Sequence, residues 1–257
     1  MSDLNPNWSA ANITDPTYRQ KFLDVPKILA DWCGSLSGLS ILDFGCGEAT
    51  MAISLALRYP DSRVTGLDVM PDLDRCLPLA RSQIGLQSLP ANLALRRIKP
   101  GELPGPAARF DLVYSWSVME HVDQPLLAKV LRQLHDVLKP GGRMLVQIEP
   151  LYYSAGGSHL MFKVAEPWGH LIQQDRSYIG RLRTACGNDN EFRALLAMYR
   201  TLNRLTAPGL MRLVREAGFS VLREYTTRDE REPPADLLEV YQEAALRTDQ
   251  VVLLLGR

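Results

Sequence analysis

The chain has 257 residues, and 29 Lys and Arg balance 29 Asp and Glu, so its formal net charge is zero. Neutrality removes any global electrostatic drive toward duplex nucleic acid or an anionic membrane, and a charged site must be local. The length suits one large α/β domain spanning 1–257, and the four cysteines (Cys33, Cys46, Cys76, Cys186) show no zinc-like spacing or C-x-x-C pair, which points to reduced thiols and no metal site.

The first residues, "MSDLNPNWSAANITDPTY", lack the basic start and apolar core of a signal peptide. No apolar run approaches the roughly 20 residues of a membrane span. The expectation is a cytoplasmic protein with no membrane partner. Residues 1–38 read as a helical N-terminal cap. From about 39 to 149, short apolar runs alternate with helical patterns: "LSILDF", "RVTGLDV", "NLALRRI", "FDLVYSW" and "RMLVQIE". Such alternation implies βα units in a parallel sheet.

A helix over 49–59 places Ala52, Leu55, Ala56 and Tyr59 on one face. Pro78 predicts a short or late-starting helix after Asp68. A helix from near Pro125 to Leu138 follows, then "KPGG" as a tight turn into the fifth strand. Residues 150–205 break the rhythm and read as a substrate-lid insertion after strand 5, with a helical stretch near 189–204. Thr206 can cap the next helix, which ends where Gly218 fits a left-handed position. "FSVLREYT", a last helix "PADLLEVYQEAALR" and a final strand "VVLLLG" complete the chain.

The loop "DFGCGEAT" carries the chemistry. Gly45 and Gly47 let backbone approach a ligand between a strand that ends at Asp43 and a helix that starts at once. The second strand ends in Asp68, a carboxylate able to accept from two ribose hydroxyls. A dinucleotide fits poorly: Thr50 stands where a third glycine is needed, and Asp43 would repel a pyrophosphate but welcome a positive ligand.

With "GLDV", "FDLVYS" and "LKPGG" following in order, the sequence resembles the class I S-adenosylmethionine-dependent methyltransferases. The resemblance implies an α/β, doubly wound, Rossmann-like sheet of seven mostly parallel strands with the last one antiparallel. It implies S-adenosylmethionine as cofactor. Asp43, Gly45, Cys46 and Gly47 would line its methionine and ribose side, Asp68 its ribose, and Val69 and Met70 its adenine. Ser115 and Trp116 would lie beside the sulfonium. "RRIKPGELP" lacks the family's usual acid after the third strand, which leaves backbone groups of Ile98 or Lys99 to meet the adenine amino group. Ala49 replaces the loop's usual last glycine.

Methyl transfer needs alignment, exclusion of water and, for a hydroxyl acceptor, a base. Candidates are His159 and His170 in the insertion, His121 in "MEHV", and Glu149 at the end of the fifth strand. Tyr152, Tyr153, Phe162 and Trp168 are candidate walls of the acceptor site. Between 151 and 208, seven Lys and Arg face four Asp and Glu, a surplus that would suit an anionic acceptor but that a solvated helix face explains more cheaply. The leading expectation is transfer to a hydroxyl of a small molecule, a saccharide or natural-product intermediate, by a monomer or homodimer. The alternatives are a nitrogen or carbon acceptor, a tRNA or protein substrate, or a silent cofactor-binding partner subunit.

Overall fold

A computed structural model describes residues 13–103 and 109–257. Seven strands form one sheet: β1 (Ser40–Phe44), β2 (Arg63–Asp68), β3 (Leu93–Arg97), β4 (Phe110–Trp116), β5 (Leu138–Ile148), β6 (Ser220–Arg228) and β7 (Thr248–Gly256), in the order β3-β2-β1-β4-β5-β7-β6. β1 runs parallel to both β2 and β4, and β2 to β3. Along β5 and β7, Arg257 N–H donates to Gly142 and Leu151 N–H to Asp249, so numbers that rise on one strand fall on the other and β7 is antiparallel. All seven expected strands are present, and the chain order reverses between β1 and β4, where doubly wound sheets open their ligand crevice at the strands' C-terminal ends.

Two compact units divide the chain. The first takes residues up to Trp116, Arg132–Leu145 and Leu254–Arg257; the second takes Ser117–Leu131 and Val146–Leu253. In the first, α1 (Pro16–Arg19), a π turn (Gln20–Asp24) and α2 (Val25–Cys33) form the N-terminal helical segment. Asp15 starts it by accepting from Thr17 and Tyr18 N–H. Of the expected cap, residues 1–12 lie outside the described residues. α3 (Thr50–Arg58) and α4 (Cys76–Ile84) follow. α4 starts late, after a 3₁₀ turn at Pro71–Arg75, as Pro78 predicts. Ile41, Leu42, Leu55, Leu67 and Val113 are wholly buried, each worth about 1.5–3 kcal/mol of transfer free energy.

α5 (Gln124–Val137) bridges the partition. The second unit also holds α6 (Gly169–Ile172), α7 (Asp175–Ala185), α8 (Asp189–Thr201), α9 (Ala207–Glu216), α10 (Ala235–Leu238) and α11 (Glu243–Arg247). Leu160, Val164, Tyr178, Leu182 and Tyr199 make one buried cluster; Ala155, Trp168, Leu237 and Leu246 make another. Thr206 caps α9 by accepting from Gly209 N–H, and Gly218 has φ 102°, both as expected.

Two expectations change, and one helix was not expected. "KPGG" is not a turn before β5 but part of it, with the bend absorbed at Gly141 (φ 75°) while Gly142 already pairs with Arg257. The last helix is broken into α10 and α11. Leu237 and Leu246 both belong to the second cluster, yet nine residues along a straight helix would set them on opposite faces. The break at Gln242 (ψ 132°) turns both inward. α7 carries little apolar signal and a central Gly180, which lowers helix propensity by about 1 kcal/mol; Tyr178 and Leu182, one turn apart and buried, hold it in place.

Candidate active site

In the first unit, the loop between β1 and α3 is tied down from two sides. Gly45 and Cys46 N–H both donate to the Leu67 carbonyl (2.8 and 3.1 Å), and Gly47 N–H donates to Asp68 Oδ2 at 2.6 Å. The other oxygen of Asp68 accepts from Met70 N–H at 2.8 Å. Gly45, Gly47 and Ala49 all have left-handed φ (80°, 53° and 57°). Two of these need glycine for conformational reasons; Ala49 holds the same conformation with a side chain. No side chain caps α3, so its first N–H groups are open to an anion such as an amino-acid carboxylate.

Asp43 is wholly buried, and neither of its oxygens has a hydrogen-bond partner. Burial pushes its carboxyl up to about 7; the neighbouring Tyr114 hydroxyl pulls it down and Asp68 pushes it further up. An orphaned buried acid is costly unless something positive meets it. Ser115 is buried with its hydroxyl unpartnered. Val69 and Met70 are exposed apolar side chains at the end of β2, available to an aromatic ring. Ile98 N–H donates to the Asp68 carbonyl at 2.8 Å, which ties the chain after β3 to the end of β2; the adenine amino group is a donor and calls on a carbonyl instead. Lys99 N–H faces Glu102 Oε2 at 3.4 Å.

Sequence reasoning missed Gly66. A Cβ there would come within 2.7 Å of Leu95 and 2.9 Å of the Cys46 sulfur, so a small residue on β2 lets the loop lie close. The Cys46 thiol is pushed far up by burial, with Asp43 and Asp68 adding to it, and packs as an inert hydrophobe.

In the second unit, His121 and His159 stack edge to face at 5.2 Å between ring centroids. His121 Nδ1 lies 2.9 Å from Thr201 Oγ1, and His159 Nε2 lies 3.0 Å from the Pro150 carbonyl. Burial holds both below the usual imidazole range, His121 at about 4. His170 Nε2 donates to the Tyr152 carbonyl at 2.6 Å, its Nδ1 is buried without a partner, and burial brings it to about 4. All three rings are therefore neutral at physiological pH.

Tyr152 packs against Tyr153 and His170 (5.3 and 5.1 Å), and Arg204 lies 5.7 Å over its ring. The tight loop exists because Gly157 allows it: a Cβ there would sit 2.0 Å from the Tyr152 carbonyl oxygen. Trp168 is core, donating to the Leu246 carbonyl at 3.2 Å, whereas Phe162 is 69% exposed. Glu149 follows β5 directly and accepts from Gln147 and Gln250 at 3.1 and 2.6 Å; burial raises its carboxyl, and Asp249 adds to this.

Glu120, beside His121 in the same motif, was not anticipated. It is 2% exposed, and burial pushes it up to about 8, while backbone N–H groups of Glu120 and Glu149 pull it down and the Glu149 charge adds to the rise. No group of three or more metal-ligating side chains occurs among the described residues, and no helix there is long and apolar enough to cross a membrane.

Residues 41–142 match a family model described as a methyltransferase domain. A ubiquinone biosynthesis O-methyltransferase of Xylella fastidiosa is 32% identical over 114 residues, 44% of this chain and 42% of that protein. A trans-aconitate 2-methyltransferase of Deinococcus radiodurans is 34% identical over 109 residues, 42% of this chain and 37% of that protein. The match thus spans about two fifths of the length of these curated relatives. Among solved structures, an S-adenosylmethionine-dependent methyltransferase from Mesorhizobium loti shares the fold with a TM-score of 0.55 at 20% identity, covering 90% of this chain and 96% of that one.

Proposed function

We propose that this chain, whose residues 41–142 match a methyltransferase-domain model, is a class I S-adenosylmethionine-dependent methyltransferase that transfers a methyl group from that cofactor to a hydroxyl of a small molecule. The observation that carries the reading is Asp43, a wholly buried acid without a partner at the mouth of the glycine loop. A cationic ligand supplies the missing partner and an anionic one would not. When bound, the cofactor supplies a methyl carbon activated by its sulfonium charge.

The chain's own residues do the rest. Asp68 braces the loop through Gly47 and keeps a lone pair on each oxygen for ribose hydroxyls. The uncapped start of α3 takes a carboxylate, Val69 and Met70 cover the adenine, and Ser115 and Trp116 end β4 on the sulfonium side. Ala49 keeps the loop's left-handed turn. On the acceptor side, His121 and His159 are neutral imidazoles, each with one nitrogen free to take a proton, whereas His170 has its free nitrogen sealed inside. Tyr152 and Tyr153 offer an aromatic surface, with Arg204 over one ring as the group to meet an anionic acceptor. The 150–205 segment acts as the acceptor-binding insertion.

His121→Ala and His159→Ala separate binding from proton transfer. If either ring takes the acceptor's proton, that variant loses about 10²–10⁴-fold in kcat with an unchanged calorimetric Kd for S-adenosylmethionine. Full turnover in both variants contradicts a histidine base.

A further inference from the structure

Hydrogen-bond chemistry assigns the proton positions on these three histidine rings. A carbonyl only accepts, so His159 and His170, which face carbonyls through Nε2, carry their protons there. His121 faces a hydroxyl instead, and the direction of that bond follows from the end of α8. There the Thr201 hydroxyl lies 2.7 Å from the Met198 carbonyl. The next N–H that could serve that carbonyl, on Leu202, bonds to Tyr199. Thr201 therefore gives its proton to Met198 and accepts from His121 Nδ1–H at 2.9 Å. His121 alone of the three is left with its lone pair on Nε2.

The same chain end clamps the backbone of the turn that carries His121. Asn203 N–H donates to the Glu120 carbonyl at 2.8 Å. Its side-chain amide donates to the carbonyls of Met119 (2.7 Å) and Val122 (2.8 Å), and its Oδ1 accepts from Leu205 N–H at 3.1 Å. Asn203 is nearly fully buried, and its amide spans the turn from one end to the other. Breaking it would remove three hydrogen bonds that one buried residue gives to the turn, so the clamp resists rotation of the turn.

We infer that Thr201 and Asn203 are positioning residues that lock the His121 turn and tautomer, so that His121 Nε2 takes the proton of the methyl acceptor's hydroxyl. This rests on the methyltransferase reading above. The step balances: the hydroxyl oxygen bonds to the methyl carbon, the carbon–sulfur bond breaks with its electron pair going to sulfur, and the proton passes to Nε2. The positive charge moves from sulfonium to imidazolium.

The test uses the intact protein labelled at its histidine nitrogens. There are four histidines, and the His121 signals are identified by their loss in His121→Gln. Nitrogen chemical shifts distinguish the two tautomers. The expected result is a proton on Nδ1 in the parent and in Thr201→Ser, and a shift toward Nε2 in Thr201→Val with the His159 signals unchanged. In the same variant kcat falls about tenfold or more, the KM for S-adenosylmethionine holds, and Thr201→Ser restores turnover. An unchanged His121 tautomer in Thr201→Val overturns the latch, and a moved tautomer with full turnover overturns the proton-acceptor role. Absence of S-adenosylmethionine binding by the parent protein would fail the methyltransferase reading and the role with it, while the spectra still decide the latch.

Discussion

Asp43 sits at the centre of the donor side. Its carboxyl is raised to about 7 because it is buried, so a cationic ligand must draw a proton off it at acid pH and finds it ionised at alkaline pH. Affinity for S-adenosylmethionine should therefore rise between pH 6 and 8, and calorimetry in buffers of different ionisation heat should detect proton release on binding. Asp43→Asn should flatten this dependence and weaken binding by about tenfold or more at pH 8. Its melting temperature should not fall, because the substitution keeps the side chain's size and removes a buried acid that is costly to ionise. Equal affinity in the two proteins would place the ligand's charge elsewhere. The tautomers of His121, His159 and His170 belong to the same scale, and they follow from which atom each ring faces rather than from the identity of the residue.

At the scale of elements, two glycines carry most of the local specification. Gly66 lets the donor loop lie against β2, and Gly157 lets the loop after β5 fold onto its own backbone. The blocking atoms differ. At Gly66 they are side-chain atoms of Leu95 and Cys46, whereas at Gly157 they are the backbone carbonyls of Tyr152 and Leu151. Gly157→Ala should destabilise by about 3 kcal/mol or more and Gly66→Ala by about 1 kcal/mol, a ranking that denaturant titration of the two variants checks.

The strands and the donor loop were legible in the sequence because their signals are local: period, a glycine pair, an acid at a strand end. α7 was not, because its two core residues act through distant Leu160 and Tyr199. The split of the last helix was not legible either, since Leu237 and Leu246 share a cluster that only tertiary packing reveals. The same holds for Thr201 and Asn203, whose partners on the His121 turn lie some 80 residues away. Polar latches of that kind leave no spacing pattern.

At the scale of the whole molecule, buried titratable groups give stability a definite dependence on pH. His121 and His170, held near 4, are neutral in the folded state, so their contribution is complete above the unfolded value of about 6.5 and is lost as pH falls toward 4. Asp43 and Glu120, raised to about 7 and 8, act the other way: the fold holds their protons, so stability falls as pH rises from about 4 to 8. The two trends oppose each other below pH 6.5, and above it only the carboxyls act. Unfolding free energy should drop by about 2 kcal/mol between pH 6.5 and 8. Asp43→Asn with Glu120→Gln should abolish most of that slope. A flat profile in the parent protein would mean that these acids are not protonated in the fold.

The methyltransferase reading meets its most direct test in label transfer. The protein is incubated with methyl-labelled S-adenosylmethionine and fractionated cell extract, beside Asp43→Asn and Asp68→Ala controls, and labelled products are identified. The expected result is label on the oxygen of a small molecule in the parent reaction and little in either control. Label confined to RNA or protein, or equal labelling by all three proteins, would contradict it.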